Sequence, residues 1–286
     1  MSQINSLSKT PLDVQPRHME FPYAQMQTKD FFDNNCLKSA YIAAMSATFP
    51  AGEGEFIKAV RHFRDQTRDE ELKQQIKGFI GQEAHHSLQH KQFNKALREK
   101  GYDAVRIEGV FEKDLAWSIK HRSNEQRLAF TVCVEHMTAV LAYDFLTKPE
   151  RMNGMDPSIK PLLLWHSVEE LEHKSVAFDL YMEVIGDRKL LHRAMRIAMV
   201  LLSYRFMKYT AKLLWWAKRR PRWREIKGFW KFLYGKGSLM RSMAPHMKDF
   251  FRDDFHPWDQ DDTALIEQWK ANEYKPEFDR KAKQAA

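Results

Sequence analysis

Cysteine is nearly absent: Cys36 and Cys133 are the only two in 286 residues, far apart and in no C-x-x-C spacing. A disulfide framework and a thiolate zinc site are thereby excluded, and a reducing cytoplasm fits best. The opening stretch MSQINSLSKTPLDVQPRH has no apolar run that could serve as a signal peptide. The most apolar basic segment, 189–218, is broken by Arg193, Arg196, Arg205, Lys208 and Lys212. Its uncharged runs fall far short of the ~20 residues that span a bilayer. No G-x-S-x-G elbow and no H-E-x-x-H occurs, so neither a serine hydrolase nor a zincin is supported. Dinucleotide and flavin motifs are missing too, and no segment carries a strong strand signal.

What is present suits a globular, helix-rich chain. Hydrophobic residues make up 43%, aromatics 13% and charged residues 29%, which excludes disorder, and the length is sufficient to bury a substantial core. The formal charge of +8 is uneven, with a basic block from Lys208 to Lys236 that includes KRRPRWREIK. Trp215, Trp216, Trp223 and Trp230 stand among these cations. The block reads either as a packing helix with a solvated basic end or as an amphipathic surface for anionic lipid. Nucleic acid is the less favoured partner, because the apolar residues form a helical face rather than isolated stacking aromatics.

Periodicity divides the chain into an N-terminal arm (1–30), rich in proline and expected to carry no chemistry, and one helical domain (31–286). Within it a core bundle occupies about 50–186, and a C-terminal helical extension occupies 187–286. The first core helix follows Pro50 and places Phe56, Ile57, Val60 and Phe63 at helical spacing. Thr67 or Asp69 caps a second helix running to Lys100, with Gly101 as its stop. Ser123 and Gln126 form a capping box for a third that Pro149 closes. Asp156-Pro157 opens a fourth that ends at Gly186. The segment 101–122 is long enough to cross the bundle. The fold class is all-α: a ferritin-like four-helix bundle with additional C-terminal helices.

The inward positions of these helices are charged. They read Glu53 on the first, Glu83 and His86 on the second, Glu135 on the third, and Glu170 and His173 on the fourth. Residues three apart on a helix share a face, so each E-x-x-H pair offers an oxygen and a nitrogen to one metal ion. Two pairs hold two metals, and the lone carboxylates Glu53 and Glu135 are expected to bridge them. Register supports the grouping. If paired antiparallel helices carry ligands at one height, the turn lies midway between the ligands. The midpoint of Glu53 and Glu83 is position 68, and that of Glu135 and Glu170 is 152–153, both in expected breaks. The competing reading of any single E-x-x-H is a solvated surface pair. Glu55 competes with Glu53, but its face continues through His62 and Gln66 rather than through Phe56, Val60 and Phe63. Glu169, Glu172 and His85 sit off the stripe, as supporting or surface residues, and His90 is either a supporting donor or a core histidine.

The stretches FPAGEGEF, FIGQEAHHSLQH, VEHMTAVLAYDFL and WHSVEELEHKSVAFDLY resemble those of a bacterial family named as predicted metal-dependent hydrolases, over about residues 35–270. That name implies hydrolysis. The ligand set is also that of di-iron proteins that reduce dioxygen, and the preferred expectation is a di-iron oxidase or oxygenase acting on an apolar organic substrate. Its cofactor is two iron ions, with manganese or zinc as alternatives. Its partners are dioxygen, an external electron donor, a membrane surface that could deliver substrate from the inner face, and a second copy in a homodimer. Hydrolysis is the alternative, and a non-catalytic iron-binding protein the second. His166 completes H-x-x-x-E-x-x-H with Glu170 and His173, a pattern similar to that of the di-iron arylamine N-oxygenases. That similarity implies His166 is a third histidine ligand, against the alternative of a hydrogen bond to Glu170. Glu53, Glu135 and His166 are the expected catalytic residues.

Overall fold

The structure, a computed structural model, describes residues 10–272 together with Tyr274 and Asp279. The rest of the arm and of the C-terminal extension lies outside the described residues. Among these the α-helices are α1 (Cys36–Ser46), α2 (Phe49–Phe63), α3 (Glu70–Glu99), α4 (Ala104–Lys120), α5 (Asn124–Thr147), α6 (Lys160–His173), α7 (Val176–Val184), α8 (Arg188–Trp216), α9 (Trp223–Tyr234), α10 (Leu239–Asp249) and α11 (Thr263–Asn272). No β-strand occurs among the described residues, so the fold is all-α.

Local chemistry sets the boundaries. Asp69 accepts from the Glu71 and Leu72 amides and starts α3, while Gly101 follows its end at φ +97°. Ser123 and Gln126 close the expected capping box at α5. Asp187 caps α8 through the Leu190 amide. Two boundaries differ from expectation. Asp156 does not cap a helix. Its carboxylate accepts from the Ser158 amide and hydroxyl and from the Gln27 amide, so α6 begins only at Lys160. The same helix does not continue to Gly186 but breaks after His173. There Lys174 is drawn out to Asp262 and Ser175 bonds Asp179. The segment 101–122 crosses the bundle as helix α4, about 25 Å long at 1.5 Å per residue, rather than as an extended chain.

Helices α2, α3, α5 and the broken α6–α7 pack around one another, with α2 against α3 and α5 against α6. The turns α2–α3 and α5–α6 fall at the positions the ligand midpoints required. Helix α5 has the length and apolarity of a membrane span, yet 67% of its most apolar window is buried inside the protein. It is the centre of the bundle. The described part of the arm runs over α3, burying Val14, Met19, Phe21, Tyr23 and Met26. Its backbone comes so close that a Cβ on Gly78 would stand 2.0 Å from the Val14 carbonyl oxygen.

Candidate metal centre

The six inward residues expected from the sequence meet in the bundle. Glu53, Glu83, His86, Glu135, Glu170 and His173 are all buried, Glu83 and His86 completely. Three sets of ligand atoms lie within 4.8 Å of one another: Glu53, His86 and His166; Glu83, His86 and Glu170; and Glu83, Glu135 and His173.

The carboxylates differ in where they stand relative to the two inward imidazoles. Glu83 Oε1 stands 3.4 Å from His86 Nδ1 and 3.3 Å from His173 Nε2. Glu170 turns Oε1 toward His86 Nδ1 (3.7 Å) and Oε2 toward His173 Nε2 (3.8 Å). The carboxylates between the two imidazoles are therefore Glu83 and Glu170. Glu53 falls on the His86–His166 side, and Glu135, 3.2 Å from His173 Nε2, on the other. The physical reason is the opposed packing of α3 and α6: the glutamate three residues before each histidine points into the gap between them. Glu55 is engaged elsewhere, accepting from Arg127 Nε at 2.6 Å.

Each histidine is fixed from behind. His86 Nε2 donates to Glu169 Oε2 at 3.1 Å, and His173 Nδ1 donates to Gln82 Oε1 at 2.9 Å. This leaves His86 Nδ1 and His173 Nε2 as the inward nitrogens. The supports are themselves held. Glu169 accepts from Trp165 Nε1 (3.0 Å) and from the Arg17 amide and guanidinium (both 3.1 Å). Glu172 accepts from Gln82 Nε2 (2.8 Å) and twice from Arg17 (2.8 and 2.6 Å). Glu169 and Glu172 are thus fully buried, and the arm, expected to carry no chemistry, supplies the cation that neutralises them. Burial opposes the charge on Arg17, but its pairs with Glu172 and Glu169 outweigh it and hold its pKa above the ordinary value.

His166 belongs to a second chain of bonds. The Ser46 hydroxyl donates to Asn94 Oδ1 (2.8 Å), so it accepts from His90 Nδ1 (2.9 Å). His90 Nε2 then accepts from His166 Nδ1 (2.8 Å). His166 Nε2, 2.7 Å from Glu170 Oε1, is left with a lone pair facing the cluster. Burial, with the charges of His166 and His86, holds His90 well below the usual imidazole range. Asn94 is oriented in turn by its amide donating to Glu108 (3.3 Å). Both Arg17 and Ser46 went unseen in the sequence, since neither lies in a ligand motif.

Eight atoms at the centre of this arrangement have no hydrogen-bond partner: both carboxylate oxygens of Glu53, Glu83 and Glu135, His86 Nδ1 and His173 Nε2. Burial, above all, pushes the Glu83 and Glu135 carboxyls up to about 8. Glu53 is held well above the usual range by burial and by the charges of Glu83, Glu170 and Glu135. Orphaned carboxylate oxygens and imidazole lone pairs, converging where burial penalises their charge, are a donor set that fits divalent cations.

A cavity of about 560 Å³ opens beside the cluster, reaching Glu53, His166 and Glu170. Phe49, Phe56, Phe130, Val134 and Met137 are among the residues that make its wall chiefly apolar.

A family model described as a predicted metal-dependent hydrolase matches residues 15–261. The match takes in Arg17 as well as the cluster. No curated protein and no solved structure matches the chain. The family description overturns the expectation of a di-iron oxidase or oxygenase and favours the hydrolytic alternative. The error has a physical root: glutamate and imidazole donors suit metals that activate water as well as metals that activate oxygen, so ligand types alone do not separate the two.

Proposed function

The chain belongs to the family of predicted metal-dependent hydrolases, and on that premise we propose that it cleaves an apolar organic substrate at a centre of two divalent cations. Glu83 and Glu170, which stand between the two inward imidazoles, would contribute to holding both cations. His86, His166 and Glu53 would serve one cation, and His173 and Glu135 the other. The observation that carries the reading is the set of eight buried donor atoms without partners. Cations held there would supply Lewis acidity toward a substrate oxygen and would acidify water near neutral pH.

The chain's own residues do the rest. Glu53 and Glu170 both belong to the cluster and border the cavity, but only Glu53 has no hydrogen-bond partner on either oxygen, so it is the carboxylate placed to take a proton from an attacking water. Thr138 donates to Glu170 and fixes the orientation of that carboxylate. Glu169 and Gln82 hold the two imidazoles in the tautomers that present a lone pair inward. The apolar wall excludes bulk water and favours a substrate with an aliphatic or aromatic body.

The experiment is metal analysis of purified protein combined with ester hydrolysis before and after chelation. About two divalent ions per chain, with activity lost on chelation and restored by the same ion, is the expected result. A wild-type protein that carries no metal and hydrolyses equally well after chelation would sink the reading. We also propose that the basic block meets anionic lipid. Trp215 and Trp223 are 76% and 78% exposed, and Trp230 and Tyr234 stack on the outer side of α9 among its lysines and arginines.

A further inference from the structure

The cavity beside the cluster is bordered by cations as well as by metal-binding groups. Its lining follows α5 from Arg127 to Leu141. Eleven residues separate Arg127 from Thr138, the donor to Glu170, which is about 16 Å along the helix at 1.5 Å per residue. At the Arg127 level the wall also carries Arg122, and α8 contributes Arg205.

These three guanidinium groups differ. Arg127 is neutralised by Glu55 at 2.6 Å. Arg122 lies over the Phe130 ring at 4.3 Å and Arg205 over Phe111 at 5.5 Å. Among the described residues neither has a carboxylate within salt-bridge distance, although Arg205 is only 9% exposed. Burial and, less strongly, the charge of Arg205 push the Arg122 guanidinium below its ordinary value, against a smaller opposing effect of the Glu55 charge. Two like charges on a largely apolar wall, neither in an ion pair, are an arrangement that a bound anion relieves.

We propose that the cavity binds a single-chain amphiphile whose anionic group, a carboxylate or a phosphate-type ester, lies between Arg122 and Arg205. Its apolar chain runs along α5 toward Glu53, His166 and Glu170. The placement of the cleaved bond at that far end rests on the hydrolase reading, whereas the anion pocket does not. The volume, about 560 Å³, is that of a small-molecule site and accommodates one chain. Arginine suits the task because its planar fork meets a carboxylate or phosphate with two parallel bonds.

The test uses metal-stripped full-length protein, so that a carboxylate cannot be captured by a cation at the cluster. Dodecanoate, dodecanol and dodecyltrimethylammonium are titrated calorimetrically below their micelle concentrations. Dodecanoate should bind about tenfold more tightly than dodecanol, as charge-assisted hydrogen bonds imply, and the ammonium compound most weakly. Arg122→Gln and Arg205→Gln should each remove most of that preference and leave dodecanol binding unchanged. Arg122 is only half-buried, so its variant supplies the result if Arg205→Gln does not fold. Equal binding of all three amphiphiles to the wild type overturns the proposal, as does an anion preference that survives in the double variant. Failure of the hydrolase reading would show as ester cleavage indifferent to chelation, which leaves these binding results untouched.

Discussion

The guanidinium of Arg17 donates to both carboxylate oxygens of Glu172, at 2.8 and 2.6 Å, and its first nitrogen also reaches Glu169 at 3.1 Å. One arm residue thus holds the supports of both inward histidines: Glu169 behind His86, and Gln82, through Glu172, behind His173. Removing it leaves two fully buried carboxylates without their main counter-charge.

Arg17→Ala should therefore weaken metal binding about 10–100-fold, the usual effect of losing outer support for metal-ligating histidines. Competition with a chromophoric chelator measures it. Arg17→Lys should recover only part, because a single ammonium cannot match the two-pronged contact with Glu172. Unchanged affinity in both variants would refute the role.

Gly78→Ala should displace the arm, since the new Cβ would lie 2.0 Å from the Val14 carbonyl oxygen. A lowered Tm, with faster amide exchange over residues 10–23 than over α5, is the expected outcome. Gly54→Ala is the control. Nothing lies within 4 Å of its Cβ position, so the substitution should be neutral or stabilise α2 by up to about 1 kcal/mol.

Metal-stripped protein should lose stability as pH rises from about 6.5 to 8 and level off above that. The Glu83 and Glu135 carboxyls sit at about 8 in the folded chain against an ordinary 4.5, so the folded state holds more protons than the unfolded one. The stability they contribute is fully present below about 4.5 and is lost as pH rises through 8. His136, pushed down to about 4 mainly by burial, acts in the opposite sense only below about 6.5 and does not intrude. Saturating metal should abolish the slope above pH 7, because the carboxylates are then held ionised. Thermal melts across the range, with and without chelator, decide it.

Ser46→Ala should lower metal affinity about tenfold without contacting the cluster. It frees His90 from its Ser46 partner and with it the proton order that leaves His166 Nε2 facing Glu170. His166→Ala should be more severe. If His166→Ala binds metal as the wild type does, His166 is not a ligand.

Flotation with vesicles tests the basic block. Binding to anionic vesicles at low salt, reduced by Trp223→Ala or by 0.5 M salt, is expected from interfacial aromatics and cations together. Equal recovery with zwitterionic vesicles removes the electrostatic part of the proposal.

The ligand positions were legible because helical periodicity puts a charged residue conspicuously on an apolar stripe, as with Glu135 between Val132 and Ala139. The turns at 68 and 152–153 were legible from the same arithmetic. The direction in which each carboxylate turns was not, because spacing fixes only the face on which a glutamate lies. Helix α1 was missed although Asn35 caps it through the Leu37 and Lys38 amides. For Glu169 and Glu172 the choice between a supporting and a surface role stayed open, because the sequence does not show that the arm returns over α3 and α6 to cover them. The break after His173 likewise depends on Asp262, almost ninety residues away.

The clamp has a consequence for how the protein is made. Arg17 leaves the ribosome 155 residues before Glu172 does, an interval of about 8–31 s at 5–20 residues per second. During that time the arm has neither of its carboxylate partners, and Gln82 lacks Glu172. Early in synthesis the cluster consists of Glu53, Glu83 and His86, and later of Glu135 as well. The last residue of the cluster, His173, and the last support, Glu172, are synthesised as neighbours. Completion of the centre is therefore timed by translation of a single short stretch, WHSVEELEH.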